Sequence, residues 1–181
     1  AHKAGLCVGI SVAETPGLSD PEEKLKDIVE SFTIAYRAAD YIEINVSCPN
    51  TGESRVDLDM SFSERIFTEI MNVRNSQTLR KAVYAKLSPD LSERHLISIM
   101  DMLVRTGVNG VVVGNTYPTA KMSELPMNAK YEDLTPLRAD GDCGGMSGRP
   151  LFDNMVWNVK YIREHYPQMS VIACGGIAHG Y

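Results

Sequence analysis

The chain has 181 residues, 44% of them hydrophobic and 23% charged, a composition typical of a globular domain with one sizeable apolar core. Its formal net charge is −5 and it contains no basic run, which argues against nucleic acid as a partner. No stretch approaches the roughly 18 apolar residues of a membrane-spanning helix, so a soluble protein is expected. The four cysteines form no C-x-x-C pair, which predicts neither a metal site nor a disulfide framework and favours a reducing compartment.

Short apolar runs alternate with amphipathic segments along the chain, with one long loop predicted between residues 113 and 151. The run over residues 6–10 predicts the first strand. The first helix is predicted to begin after Asp20, with Pro21 at its first position and Phe32 on its apolar face. The same alternation predicts strands over 41–46, 83–87, 110–113 and 171–174, and helices over 62–73, 92–105 and 151–165.

Strands that alternate with helices predict an α/β fold with parallel strands, because each helix returns the chain to the start of a parallel neighbour. Periodicity alone does not choose between a doubly wound sheet and a (β/α)8 barrel. A barrel has eight units in typically about 250 residues. The five strands and four helices predicted here would therefore form an incomplete (β/α)8 TIM barrel, as a single partial domain over 1–181. Trp157 lies at helical spacing with Phe152 or nearby apolar residues and is expected in the core of the domain.

The loop after the second strand carries the first candidate site residues. In either architecture ligands bind beyond the carboxyl ends of the strands. Asn45 and Asn50 flank Cys48 there, and their amides could hold a planar ring with carbonyl and N–H edges, although asparagine also favours turns. Pro49 favours an extended Cys48, which makes this thiol a candidate base or nucleophile. The alternative is a small buried hydrophobic residue, the commoner role of a lone cysteine.

Two more strand ends carry polar groups. Lys86 lies at the end of an apolar strand, where an ammonium is costly to bury unless it meets an acceptor. It either reaches solvent along its stem or supplies a positive charge near a reducible ring. Gly114, Asn115 and Thr116 follow the next strand and bring amide and hydroxyl groups to the same edge. Alone, these three residues indicate only a turn.

Two glycine clusters are the strongest evidence for a cofactor. The first, at 144–148, includes Ser147 and Gly148 and precedes a predicted helix; the second, Gly175 and Gly176, follows the last strand. Glycine lets backbone N–H groups approach a phosphate closely, and a helix start adds its positive dipole. No G-x-G-x-x-G or Walker pattern is present. The clusters therefore suggest a nucleotide cofactor bound without a Rossmann motif, which FMN fits, although either cluster alone could be a tight turn.

Five motifs occur in order over nearly the whole chain. They are N-V-S-C-P-N at 45–50, K-L-S-P-D-L at 86–91, G-N-T at 114–116, G-G-M-S-G-R-P-L at 144–151 and C-G-G at 174–176. In this order they resemble the motifs of the dihydroorotate dehydrogenase family. The first motif is the most diagnostic, and five motifs in register are far more specific than any one of them.

The resemblance implies an FMN-binding (β/α)8 barrel that oxidises dihydroorotate to orotate in de novo pyrimidine (UMP) biosynthesis. Cys48 would be the base that removes the C5 proton while hydride leaves C6 for flavin N5, a role that a thiol with an ordinary pKa of about 8.5 can fill. The resemblance assigns the substrate to Asn45, Asn50, Asn115 and Thr116. It assigns FMN to Asn45, Lys86, Gly114, Ser147, Gly148, Gly175 and Gly176.

The motifs mix features of two classes of the family. Cysteine at position 48 resembles the cytosolic class 1, whereas the segments 87–91 and 147–151 are closer to the membrane-associated, quinone-reducing class 2. The expected electron acceptor is accordingly a quinone, fumarate or an NAD-linked subunit, and the expected location is cytoplasmic or peripheral on the inner membrane. A homodimer is compatible with the sequence. The family's N-terminal strands and last strand have no counterpart here, so the chain alone is expected to be inactive.

Two alternatives stay open. One is an FMN oxidoreductase like dihydropyrimidine dehydrogenase, in which the same thiol would protonate C5 of uracil or thymine. A carboxylate on the substrate ring separates the two reactions, because orotate has one and uracil does not. The other alternative is a noncatalytic barrel fragment that binds flavin without turnover.

Overall fold

The computed structural model describes residues 5–45, 60–117 and 145–179. Within these ranges strands and helices alternate as the sequence predicts. The strands are β1 (Gly9–Val12), β2 (Tyr41–Ile44), β3 (Ala82–Leu87), β4 (Gly110–Val113) and β5 (Ser170–Ala173). The helices are α1 (Pro21–Ala38), α2 (Met60–Ser76), α3 (Glu93–Thr106) and α4 (Phe152–His165), with a short 3-10 helix at Arg149–Leu151 leading into α4. No helix among the described residues is both long enough and apolar enough to cross a bilayer.

The five strands form one parallel sheet in the sequential order β1-β2-β3-β4-β5. A doubly wound sheet reverses its strand order at a switch point, whereas the strands of a (β/α)8 barrel follow one another around the axis. The sequential order therefore decides between the two architectures that periodicity left open. It confirms the predicted incomplete barrel, in which β1 and β5 are the edges of the described sheet.

Helix α1 begins where the sequence predicts. The carboxylate of Asp20 accepts hydrogen bonds from the backbone N–H groups of Glu22 and Glu23, at 2.9 and 3.0 Å. Pro21 occupies the first helical position, where its missing N–H costs nothing because that group would have no partner within the helix. This local cap explains why the start of α1 can be predicted to the residue.

The first strand lies further along the chain than predicted. The apolar run over 6–10 suggested the strand, but β1 is Gly9–Val12 and Leu6 is 62% exposed. Pairing explains the difference, because Gly9 lies opposite Tyr41 and Val12 lies opposite Ile44. The limits of β1 are thus set by the extent of β2, which a local apolar run does not indicate.

The core lies between the helices and the outer face of the sheet. Side chains alternate along β2, so that Ile42 and Ile44 are fully buried against the helices. Trp157, which was expected in the core, is 46% exposed. The buried face of α4 carries Met155, Asn158 and Ile162, and Trp157 falls outside that face.

Tyr166, directly after α4, connects this helix to α3. Its hydroxyl donates a hydrogen bond of 2.9 Å to the Asp101 carboxylate, and its ring is buried. Burial, and secondly the bond to Asp101, raise the pKa of Tyr166 to about 12. The neutral hydroxyl is therefore the form that the fold stabilises.

We expect Tyr166→Phe to lower the free energy of unfolding of the full-length protein by about 1–2 kcal/mol, because a hydrogen bond to a charged acceptor is lost. The raised pKa adds a pH dependence. The contribution of the neutral hydroxyl is fully present below the unfolded pKa of about 10 and is lost as the pH rises toward the folded value of about 12. Denaturant titrations at pH 8 and pH 11 check both statements. Tyr161→Phe is the control, because it also removes one tyrosine hydroxyl, from a ring that stacks on Trp157. An equally large fall in the free energy of unfolding of this variant would contradict the account.

Candidate functional site

The carboxyl ends of the parallel strands gather the polar residues that the sequence singled out. Asn45 directly follows β2, Lys86 is the next-to-last residue of β3, and Gly114 directly follows β4. Since all strands run the same way, these positions lie along one edge of the sheet. This is the edge at which barrel enzymes bind their ligands.

The backbone holds Asn45 and Asn115 in fixed places beyond the strand ends. The N–H of Asn45 donates to the carbonyl of Val12 at 2.7 Å, and the N–H of Asn115 donates to the carbonyl of Leu87 at 2.9 Å. Each bond continues the ladder between neighbouring strands by one residue. The two asparagines are therefore positioned by the sheet itself.

The side chains of these two asparagines meet across the gap between their strands. Asn115 Nδ2 donates to Asn45 Oδ1 at 3.4 Å, and the backbone N–H of Thr116 donates to Asn115 Oδ1 at 2.9 Å. The second bond fixes which end of the Asn115 amide is the donor toward Asn45. The structure thus brings together three of the four residues predicted to bind substrate. Asn50, the fourth, lies outside the described residues, and so does Cys48.

Lys86 is paired with a residue that the sequence analysis missed. Its Nζ lies 3.5 Å from Glu43 Oε1, and the two side chains are only 21% and 13% exposed. This pairing contradicts the first of the two interpretations of the sequence, in which the lysine reaches solvent along its stem. Glu43 could have been found from its place in β2, because it is two residues before Asn45 and so faces the same side of the strand.

The two glycine clusters lie against each other. Gly176 has φ +71°, and a Cβ at this position would lie 2.8 Å from the carbonyl oxygen of Gly148 and 3.0 Å from the Cα of Arg149. Gly148 itself has φ +86° and precedes the 3-10 helix that leads into α4. Both backbone conformations favour glycine. The loops after β4 and β5 are therefore packed together through atoms that leave no room for a side chain.

The corner formed by these glycines suits a phosphate. Among the described residues, the N–H groups of Gly148, Gly175 and Gly176 donate to no protein acceptor. The backbone of Gly148 is exposed and that of Gly175 and Gly176 is partly exposed. Helix α4 begins close to this corner, because the Cβ of Phe152 would lie 3.0 Å from a Cβ at Gly176. Backbone donors beside a helix start bind anions well. Ser147, also predicted to contact the cofactor, is exposed next to Gly148.

Gly114 links β4 to β5 at this edge. Its N–H donates to the carbonyl of Cys174 at 2.8 Å, and it follows a cis peptide bond from Val113. A Cβ at Gly114 would lie 3.3 Å from the carbonyl oxygen of Leu87. Gly114 therefore lies between the ends of β3 and β5, beside both Asn115 and the glycine corner.

Comparison with known proteins gives a consistent result. The family model described as dihydroorotate dehydrogenase matches residues 3–181. A relative from Teredinibacter turnerae named dihydroorotate dehydrogenase (quinone) is 27% identical over 96% of this chain and 49% of its own length. The mitochondrial quinone enzyme of Schizosaccharomyces pombe is 31% identical over 87% of this chain and 34% of its own length.

A solved structure supports the same fold. Ligand-free dihydroorotate dehydrogenase from Eimeria tenella superposes with a TM-score of 0.75 and 25% identity, over 95% of this chain and 48% of that one. The chain thus spans about half the length of this structure and of the Teredinibacter relative. Its parallel sheet and helices are part of the TIM barrel that such proteins share. On the match of the family model to residues 3–181, the chain belongs to the dihydroorotate dehydrogenase family.

Proposed function

We propose that the full-length protein binds FMN and oxidises dihydroorotate to orotate in pyrimidine biosynthesis. The observation that carries the proposal is the grouping of Asn45, Asn115 and Lys86 at one edge of the sheet, in a chain that belongs to this family. Amides suit the carbonyl and N–H edges of a planar pyrimidine ring, and a cation beside them suits an electron-rich flavin ring. We further propose that residues 1–181 form one partial FMN-binding barrel domain.

The residues present fit FMN. The backbone N–H groups of Gly148, Gly175 and Gly176, which have no acceptor among the described residues, would bind its phosphate. Lys86, Gly114 and Asn45 would face the flavin ring, and Ser147 would contact the ribityl and phosphate groups. When bound, FMN supplies the acceptor for the hydride that leaves the substrate.

The chain's own residues would do the rest of the work on the substrate. Asn45, Asn50, Asn115 and Thr116 would hold the ring by hydrogen bonds to its carbonyl and N–H groups, with Asn115 oriented by the Thr116 N–H. The Cys48 thiolate would accept the proton from C5 as general base. The electron pair of the former C5–H bond would form the C5–C6 double bond of orotate as the C6–H bond breaks and its hydride leaves.

We expect Asn115→Ala to raise the dissociation constant of orotate about 10- to 100-fold. The variant removes an amide that is already oriented toward the site, and a lost hydrogen bond to a charged or polar ligand costs about 1.5–3 kcal/mol. The shift of the flavin absorbance on titration with orotate gives the constant. Asn75→Ala is the control, because Asn75 is exposed at the end of α2 that leads into the amino end of β3. Unchanged orotate binding by Asn115→Ala would contradict its assigned role.

The proposed reaction is tested by mixing substrates anaerobically with the full-length, FMN-loaded protein. Dihydroorotate is expected to bleach the oxidised flavin, and dihydrouracil is expected to leave it oxidised. The opposite pattern would favour a dihydropyrimidine dehydrogenase. Flavin that neither compound reduces would favour a noncatalytic flavin-binding protein.

A quinone is the proposed electron acceptor, because the relatives from Teredinibacter turnerae and Schizosaccharomyces pombe are both named as quinone enzymes. A quinone-reducing protein would work peripherally on the inner membrane, where its acceptor is dissolved. Reoxidation of the reduced protein by a soluble quinone analogue, by fumarate and by NAD in parallel tests this proposal. Faster reoxidation by fumarate or NAD would contradict it and favour a cytoplasmic enzyme.

A further inference from the structure

Three polar side chains form a continuous chain of contacts across β1, β2 and β3. Ser11 Oγ donates a hydrogen bond of 2.6 Å to Glu43 Oε1, and the same carboxylate oxygen lies 3.5 Å from Lys86 Nζ. Glu43 is the middle member, and its side chain is 13% exposed. None of the motifs that identified the family includes Ser11 or Glu43.

The strand register explains why these three residues meet. Ser11 is directly opposite Glu43, and Glu43 is opposite Tyr84, two residues before Lys86 on the same face of β3. The Glu43 carboxylate therefore extends toward the carboxyl edge to reach Lys86. Lys86 in turn directly precedes Leu87, whose carbonyl accepts the backbone N–H of Asn115. The ion pair is therefore next to the carboxyl edge of the sheet, where the candidate site lies.

We propose that Glu43 is a positioning residue that holds the Lys86 ammonium at this edge and offsets its positive charge toward the cofactor. The proposal rests on the proposed function, because it needs FMN beside Lys86. A carboxylate this close to an ammonium weakens the field that the ammonium exerts on a third group. Ser11 holds the carboxylate in place by its hydrogen bond.

The offset of charge has a definite sign. Reduction adds negative charge to a flavin, so an uncompensated cation nearby favours the reduced form. Glu43 opposes that effect and keeps the flavin harder to reduce. Glu43→Gln removes the negative charge but keeps an amide oxygen that can accept from Ser11 and Lys86. The midpoint potential of the bound FMN is therefore expected to rise in this variant.

An ion pair that only holds the strands together would behave differently. Its loss would change the free energy of unfolding, but it would leave the potential of the bound flavin where it was. The midpoint potential thus separates the two roles, while a stability measurement alone does not.

The test is an anaerobic reductive titration of the full-length, FMN-loaded protein against a reference dye. Glu43→Gln is expected to shift the equilibrium toward reduced flavin about tenfold, which is about 30 mV for a two-electron couple. Glu30→Gln is the matched control, because Glu30 is a surface partner of Lys26 at 3.9 Å, with both side chains mostly exposed. The equilibrium constant for flavin reduction in Glu30→Gln is expected to stay within about twofold of that of the parent.

An unchanged or lowered potential in Glu43→Gln would overturn the proposal. If that variant does not retain FMN, Glu43→Asp replaces it: the charge is drawn back from Lys86 by one methylene, so a smaller rise is expected, and no rise would be equally decisive. The titration uses no dihydroorotate. A parent protein that titrates normally but is not reduced by dihydroorotate would contradict the proposed reaction alone, whereas a parent that binds no FMN would contradict both proposals.

Discussion

Replacing Cys48 by alanine is expected to slow the reduction of bound flavin by dihydroorotate about 10²- to 10⁴-fold, the usual contribution of a general base. The variant should bind FMN and orotate almost as the parent does, because the Cys48 thiol is assigned to proton removal and not to binding. Anaerobic stopped-flow measurement of the flavin absorbance gives the rate of this step directly.

Cys7→Ala is the matched control, since Cys7 is a free, exposed cysteine with no assigned role. Its rate is expected to equal that of the parent. The rate of Cys48→Ser should fall between those of the parent and the alanine variant and should rise with pH, because near neutral pH a hydroxyl is deprotonated far less than a thiol. A Cys48→Ala variant that reduces its flavin at the parent rate would remove Cys48 from the mechanism.

Gly176→Ala is expected to weaken FMN binding about 10- to 100-fold. The added Cβ would lie 2.8 Å from the carbonyl oxygen of Gly148, so the backbone of one glycine loop must move. A strained backbone costs about 1–3 kcal/mol, and relief of that strain would displace the N–H groups assigned to the phosphate. Fluorescence quenching of FMN on titration with the full-length apoprotein measures the constant.

The control for this prediction is Gly5→Ala. Gly5 has φ +68°, almost the same backbone conformation as Gly176, but no atom lies within 4 Å of where its Cβ would be. It therefore carries the same conformational cost without the close approach, and it precedes β1 at the opposite edge of the sheet. Equal losses of FMN affinity in both variants would show that backbone strain, and not the contact with Gly148, is responsible.

The order of strands and helices could be predicted because each element carries its own local signal. Two adjacent residues, Asp20 and Pro21, are enough to determine where α1 starts. The alternation of Ile42 and Ile44 with polar neighbours marks the two faces of β2. The limits of β1 were predicted wrongly because they depend on pairing with Tyr41 and its neighbours, and no local pattern contains that information.

The candidate site could be predicted only as a set of separate loops. Asn45 and Asn115 are 70 residues apart in the chain. They could be predicted to lie at the same edge of the sheet only because parallel strands end at one edge. The ion pair of Glu43 with Lys86 depends on the register between β2 and β3. The contact of Gly176 with Gly148 depends on the packing of two loops. Register and packing are tertiary features, so neither contact could be found from motifs.

The most direct test of the central claim is a crystal structure of the full-length protein with FMN and orotate. We predict the phosphate of FMN on the backbone N–H groups of Gly148, Gly175 and Gly176, and the orotate ring within hydrogen-bond distance of the Asn45 and Asn115 amides. FMN or orotate bound away from the carboxyl edge of this sheet would contradict the account.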